Sequence, residues 1–177
     1  GCGSGGFVYW MQELWYKNSE GIDISDEQIS LANSLGIKNI QKTDILSFLP
    51  NNKNNFDIIF ARDILEHFKK EITPILAKQI LDSLKGKGVF IAQTGNAENW
   101  LWGRLRHGDF THEVAFTSSS INQVLKLAGF NKVDVYPLRP VVHGAKSFIR
   151  FVLWMVWEYL CRLLLAVETG SSYGIFT

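Results

Sequence analysis

The chain alternates short apolar runs with longer amphipathic segments over most of its length. The apolar runs have the length and composition of strands, and the segments between them repeat apolar side chains at helical spacing. Strands that alternate with helices predict a doubly wound, mostly parallel α/β sheet. The predicted strands are residues 20–24, 39–43, 56–61, 89–94 and 133–136. The predicted helices are residues 25–35, 72–84 and 118–127.

Residues at the segment ends support these boundaries. Ser25 is expected to begin the first of these helices, Gly36 to end it, and Gly129 to end the last one, as serine and glycine commonly do. The glycine-rich residues 85–88 predict a turn before the predicted strand 89–94.

The pattern contains no repeat and no linker, so we expect one domain. It comprises a core over residues 1–140 and an apolar helical cap of the same domain over residues 141–177. A net charge of +1, from 18 basic and 17 acidic residues, argues against a nucleic-acid partner. Two distant cysteines, Cys2 and Cys161, fit a reducing cytoplasm better than a disulfide framework.

A glycine-rich segment opens the chain and indicates a ligand. Gly1, Gly3, Gly5 and Gly6 precede an amphipathic segment. Glycines let a backbone approach a ligand closely, and the helix that follows directs its N–H groups at that ligand. Asp23 stands at the end of the next strand, where a carboxylate can accept hydrogen bonds from both hydroxyls of a ribose.

The glycines fit two patterns. Gly1, Gly3 and Gly6, with Asp23, match the dinucleotide-binding pattern of nicotinamide-dependent oxidoreductases. Gly1, Gly3 and Gly5 match the loop of methyltransferases. An oxidoreductase would also need a hydride-transfer constellation such as Tyr-x-x-x-Lys, and the sequence contains none. A non-catalytic binding module with a degenerate pocket is a third alternative.

Three later segments favour the methyltransferase. Asp44 follows the predicted strand 39–43 in KTDIL, residues 62–67 (RDILEH) follow the strand 56–61, and residues 109–113 (DFTHE) follow the strand 89–94. Together with GCGSGG and GIDIS, these segments make the chain resemble the class I S-adenosylmethionine-dependent methyltransferases. More narrowly, it resembles members that serve bacterial surface-polysaccharide pathways. The resemblance implies a methyl acceptor that is a small molecule, such as a sugar hydroxyl.

The resemblance assigns the first half of the cofactor site. Gly1, Gly3 and Gly5 would pass beside the amino-acid part of S-adenosylmethionine. Asp23 would bind the ribose hydroxyls, with Ile24 beside the adenine. The acidic residue that the family carries just before its first glycine has no counterpart in this sequence.

The second half of the cofactor site is assigned in the same way. Asp44 would meet the adenine amino group, with Ile45 packed on the ring. Arg62 and Asp63 would line the pocket near the methionine end. Either aspartate could instead cap the helix that follows it, and capping is compatible with contact to the cofactor.

Methyl transfer to a hydroxyl requires a base that removes the acceptor's proton. His112 is the first candidate, because it lies in a loop at the carboxyl edge of the predicted sheet, and Asp109 or Glu113 could orient its ring. His67 is the second candidate. Neighbouring side chains on a helix point about 100° apart, so Glu66 and His67 alone make a poor metal site, and we expect no metal.

Residues 148–167 form a long apolar stretch that nearly matches a bilayer in length. Arg150, Glu158 and Arg162 interrupt it, and each charge is costly at a membrane centre. At 100° per residue these charges share a stripe about 120° wide, which predicts an amphipathic helix. Such a helix could roof the acceptor pocket, pack in the core, or lie on a membrane surface near a lipid-linked sugar.

The resemblance also predicts an interrupted sheet. The family's first strand lies between the strands that correspond to residues 20–24 and 56–61. It leads into the residue that corresponds to Gly1. Because the sequence starts there, we expect no hydrogen-bonded ladder between residues 21–24 and 57–60. We also expect the family's last strand to follow residue 177.

Overall fold

A computed structural model describes residues 1–99 and 102–170, so the strand expected after residue 177 lies outside the described residues. The elements fall into two compact units, Gly1–Thr94 and Gly95–Thr177. The strands are β1 (Gly21–Asp23), β2 (Ile40–Lys42), β3 (Phe56–Arg62) and β4 (Leu84–Gln93). The helices are α1 (Gly6–Glu13), α2 (Asp26–Ser34), α3 (Ile45–Phe48), α4 (Thr73–Ser83), α5 (Trp102–Gly108), α6 (Ser118–Ala128) and α7 (Ala145–Thr169). Short 3-10 turns span Leu49–Asn51 and Leu65–His67.

The first unit contains two parallel strand pairs. β1 pairs with β2, and β3 pairs with β4. α2 connects the first pair and α4 the second, as parallel strands require. Within the described residues no ladder joins β1 to β3, which confirms the expected interruption. The predicted α/β class with parallel strands is likewise confirmed.

The residues around α2 show why the chain folds locally as predicted. The Ser25 side chain accepts a hydrogen bond from the Gln28 amide at 3.4 Å. Asp26 and Glu27 lie in the first turn, where negative charge is favourable. Gly36 then adopts a left-handed φ of 73°, which ends helices at little cost for glycine.

The core of the first unit forms around α4. Leu76 and Ile80 are fully buried, and α4 contacts both β4 and the Leu49–Asn51 turn. Ser83 is also fully buried, but its hydroxyl donates to the Leu49 carbonyl at 3.0 Å. That bond meets the requirement that buried polar groups find partners.

Two predictions about strands are wrong. Residues 85–88 belong to β4 and do not form a turn. They fill an irregularity in the register with β3, between the Phe56–Leu84 and Ile58–Val89 pairs. Gly88 fits there because a Cβ would lie 2.9 Å from the Phe56 carbonyl oxygen. Residues 133–136 are not a strand, because among the described residues they have no strand to pair with. α5 was not predicted.

In the second unit, α6 matches its sequence signals closely. Thr117 and Ser120 form a reciprocal cap at its start, and Gly129 ends it with φ 108°. Ile121 and Leu125 are its main buried apolar residues. A single bridge between Asn96 and Phe116 lies just before the helix.

α7 is 25 residues long, and its burial pattern differs from that of a core helix. Its buried residues are Ser147, Glu158 and Cys161, whereas most of its large apolar side chains are exposed. The alternative of a plain core helix is therefore wrong. No helix in the described part of the chain has the length and hydropathy needed to cross a membrane.

Candidate active site

The glycine segment forms a tight loop over the end of β1. The Cys2 amide donates to the Ile22 carbonyl at 2.8 Å, and the Gly5 amide donates to the Cys2 carbonyl at 3.1 Å. Gly3 and Gly5 have φ values of 56° and 78°, which strain any residue with a Cβ. Gly5 precedes the first turn of α1. The loop therefore requires glycine at both positions for its own backbone.

Gly1 places the loop against the chain that leaves β3. A Cβ on Gly1 would overlap the side chain of Ile64. The Asp63 amide also donates to the Gln93 carbonyl at 2.9 Å, so the ends of β3 and β4 meet at the same edge. Thr43 joins the end of β2 to Asp23 in the same way, through an amide–carbonyl bond of 3.0 Å.

Asp23 ties the glycine loop to the start of α2. The residue is 8% exposed. Its Oδ2 accepts from the Gly3 amide at 2.8 Å, and its Oδ1 accepts from the Ser25 amide at 2.9 Å. A carboxylate has about four acceptor positions, so about two remain for further donors such as ribose hydroxyls. Burial raises the pKa of the neighbouring Cys2 thiol, which favours its neutral form.

Ile24 and the Asp44–Ile45 pair follow the carboxyl ends of β1 and β2. Ile24 is 70% exposed, although it is a large apolar residue. Asp44 is exposed and caps α3, with its Oδ1 accepting from the Leu46 amide at 3.3 Å. The capping role predicted for Asp44 is thus confirmed, and it uses one of the two carboxylate oxygens.

Arg62 ends β3, and Asp63 follows it. Both are exposed, and Arg62 Nε lies 3.8 Å from Asp63 Oδ2. Asp63 has φ 52°, a conformation that costs energy for a residue other than glycine and that concentrates at functional sites. No side chain caps the Leu65–His67 turn, so the alternative that Asp63 is a helix cap is wrong.

Glu66 is a buried acid whose environment the sequence did not predict. It is 3% exposed, and its Oε2 accepts a hydrogen bond from the Thr94 hydroxyl at 2.9 Å. This bond links the turn after β3 to the end of β4. The neighbouring candidate base, His67, is half-buried, and its amide donates to the Ile64 carbonyl at 3.1 Å. The one sequence signal for Glu66 is the apolar Leu65 beside it, just after β3.

The loop that carries His112 belongs to the second unit. The Asp109 Oδ1 accepts from the Thr111 amide at 2.8 Å and from the Thr111 hydroxyl at 2.6 Å. The His112 amide donates to the Asp109 carbonyl at 3.3 Å. Arg106, which the sequence did not indicate, donates to the carbonyls of His112 and Glu113. These bonds fix the backbone on which the half-buried His112 side chain is mounted.

Parallel strand pairs, a glycine loop and an acid at the end of β1 define a nucleotide-binding α/β domain. A family model described as a methyltransferase domain matches residues 1–135. The chain belongs to this methyltransferase family. It is a methyltransferase that uses S-adenosylmethionine, and the oxidoreductase alternative is wrong.

Solved structures show the same fold. An S-adenosylmethionine-dependent methyltransferase from Archaeoglobus fulgidus is 20% identical with a TM-score of 0.70, over 86% of this chain and 73% of that one. One from Mesorhizobium loti is 20% identical with a TM-score of 0.63, over 80% and 76%. Phosphoethanolamine N-methyltransferase 2 from Haemonchus contortus is 19% identical with a TM-score of 0.66, over 96% and 38%. A search of curated proteins finds no match.

The residues at this edge suit S-adenosylmethionine. Asp23 retains acceptor capacity for ribose hydroxyls, and the exposed Ile24 offers an apolar surface to an adenine ring. Gly3 and Gly5 let the loop backbone approach a ligand, since neither carries a side chain in its way. The bound cofactor supplies a methyl group on a sulfonium. The task left to the protein is to position an acceptor and to exclude water.

Proposed function

We propose that this methyltransferase acts on a hydroxyl of a sugar or a related small metabolite, within a bacterial surface-polysaccharide pathway. The observation that carries the proposal is the braced loop around His112, because a hydroxyl acceptor needs a positioned base. Arg106 and the Asp109–Thr111 hydrogen bonds hold that loop. His112 would accept the hydroxyl proton as the new C–O bond forms and the bond between the methyl carbon and the sulfonium sulfur breaks, with S-adenosylhomocysteine as the leaving group.

The other candidate residues take supporting roles. Asp109 is a positioning residue, because its Oδ1 is engaged with Thr111 and fixes the loop. His67 is the second candidate base. The cofactor contacts are assigned to Gly1, Gly3, Gly5, Asp23, Ile24, Asp44, Ile45, Arg62 and Asp63.

The setting of the reaction is part of the proposal. We infer a cytoplasmic enzyme that works at the inner face of the membrane on a sugar carried by a lipid. The amphipathic helix α7 supports this, because its apolar side chains are exposed and can meet a membrane surface.

Methyl transfer from labelled S-adenosylmethionine to a panel of nucleotide sugars and lipid-linked sugars tests the acceptor class. Mass spectrometry of the product should place the label on oxygen. Labelled amines, with no labelled hydroxyl, would contradict the proposal.

His112→Ala should lower turnover about 100-fold, the usual effect of losing a general base. Affinity for S-adenosylhomocysteine should stay within about twofold, because His112 is assigned to the acceptor and not to the cofactor. His107→Ala is the matched control, because His107 is exposed on α5. Turnover of His112→Ala within about threefold of the parent enzyme would remove His112 from the mechanism.

A further inference from the structure

α7 turns its polar side toward the protein and its apolar side outward. Twelve of its large apolar side chains are exposed. Its buried residues include the charged Glu158 and the polar Ser147. A surface helix of a globular protein normally buries its apolar stripe and exposes its charges. In α7 the described residues instead leave the apolar side largely exposed.

The exposed apolar residues form one continuous surface. At 100° per residue, the twelve side chains fall within an arc of about 200°, with Met155 and Trp157 at its edges. The buried residues Ser147, Glu158 and Cys161 lie on the opposite side, within about 60° of one another. We call the first surface the outer face and the second the inner face.

Polar contacts fix the inner face in place. The Glu158 Oε1 accepts from Arg162 at 2.7 and 3.0 Å, and from Arg139 at 3.3 Å. The Ser147 hydroxyl accepts from the His143 amide at 2.8 Å. The Arg162 bonds lie within α7, but Arg139 precedes the helix, so rotation that hid the outer face would break the Arg139 bond and turn the Glu158 carboxylate away from its partner. The outer face is thus held outward.

The width of the outer face identifies the kind of cover it needs. A second copy of the helix packs through a narrow stripe of side chains. Such a seam would leave much of an arc of about 200° in water. A lipid surface can instead cover about half of a helix's circumference, as it does for helices that lie in the membrane interface.

The charges at one edge of the outer face favour anionic lipid. Lys146 and Arg150 lie on either side of Trp157 around the helix axis, about 20° away on each side. Both cations are exposed, and among the described residues neither takes part in an ion pair. Glu168 shares this edge but lies about 27 Å further along the axis than Arg150, at 1.5 Å per residue. Interfacial helices combine such cations with Trp at their boundary.

We propose that the outer face of α7 lies on an anionic phospholipid surface. The apolar arc enters the boundary between headgroups and acyl chains, Lys146 and Arg150 contact headgroup phosphates, and the Glu158 network faces the protein. This deepens the membrane contact in the proposed function. Its test measures lipid binding, which does not depend on methyl transfer.

Co-sedimentation of the full chain with vesicles provides the test. Vesicles of phosphatidylcholine with phosphatidylglycerol should bind the chain more tightly than phosphatidylcholine alone. Leu163→Glu, near the centre of the outer face, should weaken binding at least about 10-fold, because a leucine that enters the lipid in the bound state is replaced by a charge. Leu127→Glu, exposed on α6, is the matched control and should bind like the parent chain.

The double variant Lys146→Ala/Arg150→Ala should weaken binding to the anionic vesicles about 30-fold, from two juxtamembrane cations. Its binding to neutral vesicles should not change. Ile149→Glu provides a second variant of the outer face if Leu163→Glu loses its circular-dichroism spectrum. Absence of binding to anionic vesicles would overturn the proposal. So would a lipid-free dimer that Leu163→Glu dissociates, which would assign the face to a second copy. Lipid binding without methylation of any sugar would count against the acceptor alone.

Discussion

Replacement of Asp23 by alanine probes the link between the glycine loop and the cofactor. The change removes two hydrogen bonds at once, those from the Gly3 and Ser25 amides at 2.8 and 2.9 Å. Hydrogen bonds to a charged group contribute about 1.5–3 kcal/mol each. Asp23 is buried, so the amides lose a partner where water reaches poorly. For two bonds we expect the free energy of unfolding to fall by about 3–6 kcal/mol.

Cofactor affinity should fall as well. Loss of the ribose hydrogen bonds is expected to weaken S-adenosylhomocysteine binding by about 1–3 kcal/mol, or roughly 5- to 150-fold. Isothermal calorimetry on the folded variant measures this change, and thermal unfolding without ligand measures the change in stability. The two readouts separate a damaged fold from a lost contact.

Two neighbouring variants serve as controls. Ser25→Ala removes the side-chain cap of α2 but keeps the amide that binds Asp23. It should cost about 0.5–2 kcal/mol of stability with affinity unchanged. Asp26→Ala removes an exposed carboxylate paired with Lys42 and should change stability by less than about 1 kcal/mol. A folded Asp23→Ala protein that keeps parental affinity would refute the assignment of Asp23 to the ribose.

The loop glycines and the Glu158 network lead to further expectations. Gly5→Ala should destabilise the fold by about 1–2 kcal/mol, because its φ of 78° is left-handed, and a Cβ there would lie 3.2 Å from Ile37 and Ile40. Gly86→Ala, where a Cβ meets nothing within 4 Å, is its control, and equal denaturation midpoints for the two variants would contradict the strain argument. Glu158→Gln should lower the free energy of unfolding by about 1–3 kcal/mol, since it weakens bonds from Arg139 and Arg162. Unchanged urea unfolding of Glu158→Gln would show that this network does not hold the inner face of α7.

The sequence predicted elements whose signals are local. Ser25 and Gly36 bound α2, and Gly129 ends α6, because capping depends on a few neighbouring residues. It failed where pairing between distant segments decides the structure. Residues 85–88 extend β4 inside the irregularity between the Phe56–Leu84 and Ile58–Val89 pairs, and no local rule anticipates that long-range pairing. Residues 133–136 alternate like a strand, but alternation alone supplies no ladder.

The candidate site shows the same difference between local signals, which the sequence reveals, and contacts between distant residues, which it does not. The positions of the glycines and acids at strand ends could be predicted because their chemistry and spacing are visible in the sequence. The bond between Thr94 and Glu66 joins residues 28 positions apart, and Arg106 braces the His112 loop through backbone carbonyls that any sequence would offer. The spacing of α7 predicted an amphipathic helix but not which side would be buried. That orientation depends on Arg139, 19 residues before Glu158, which holds the acid inward and leaves the apolar arc for another surface.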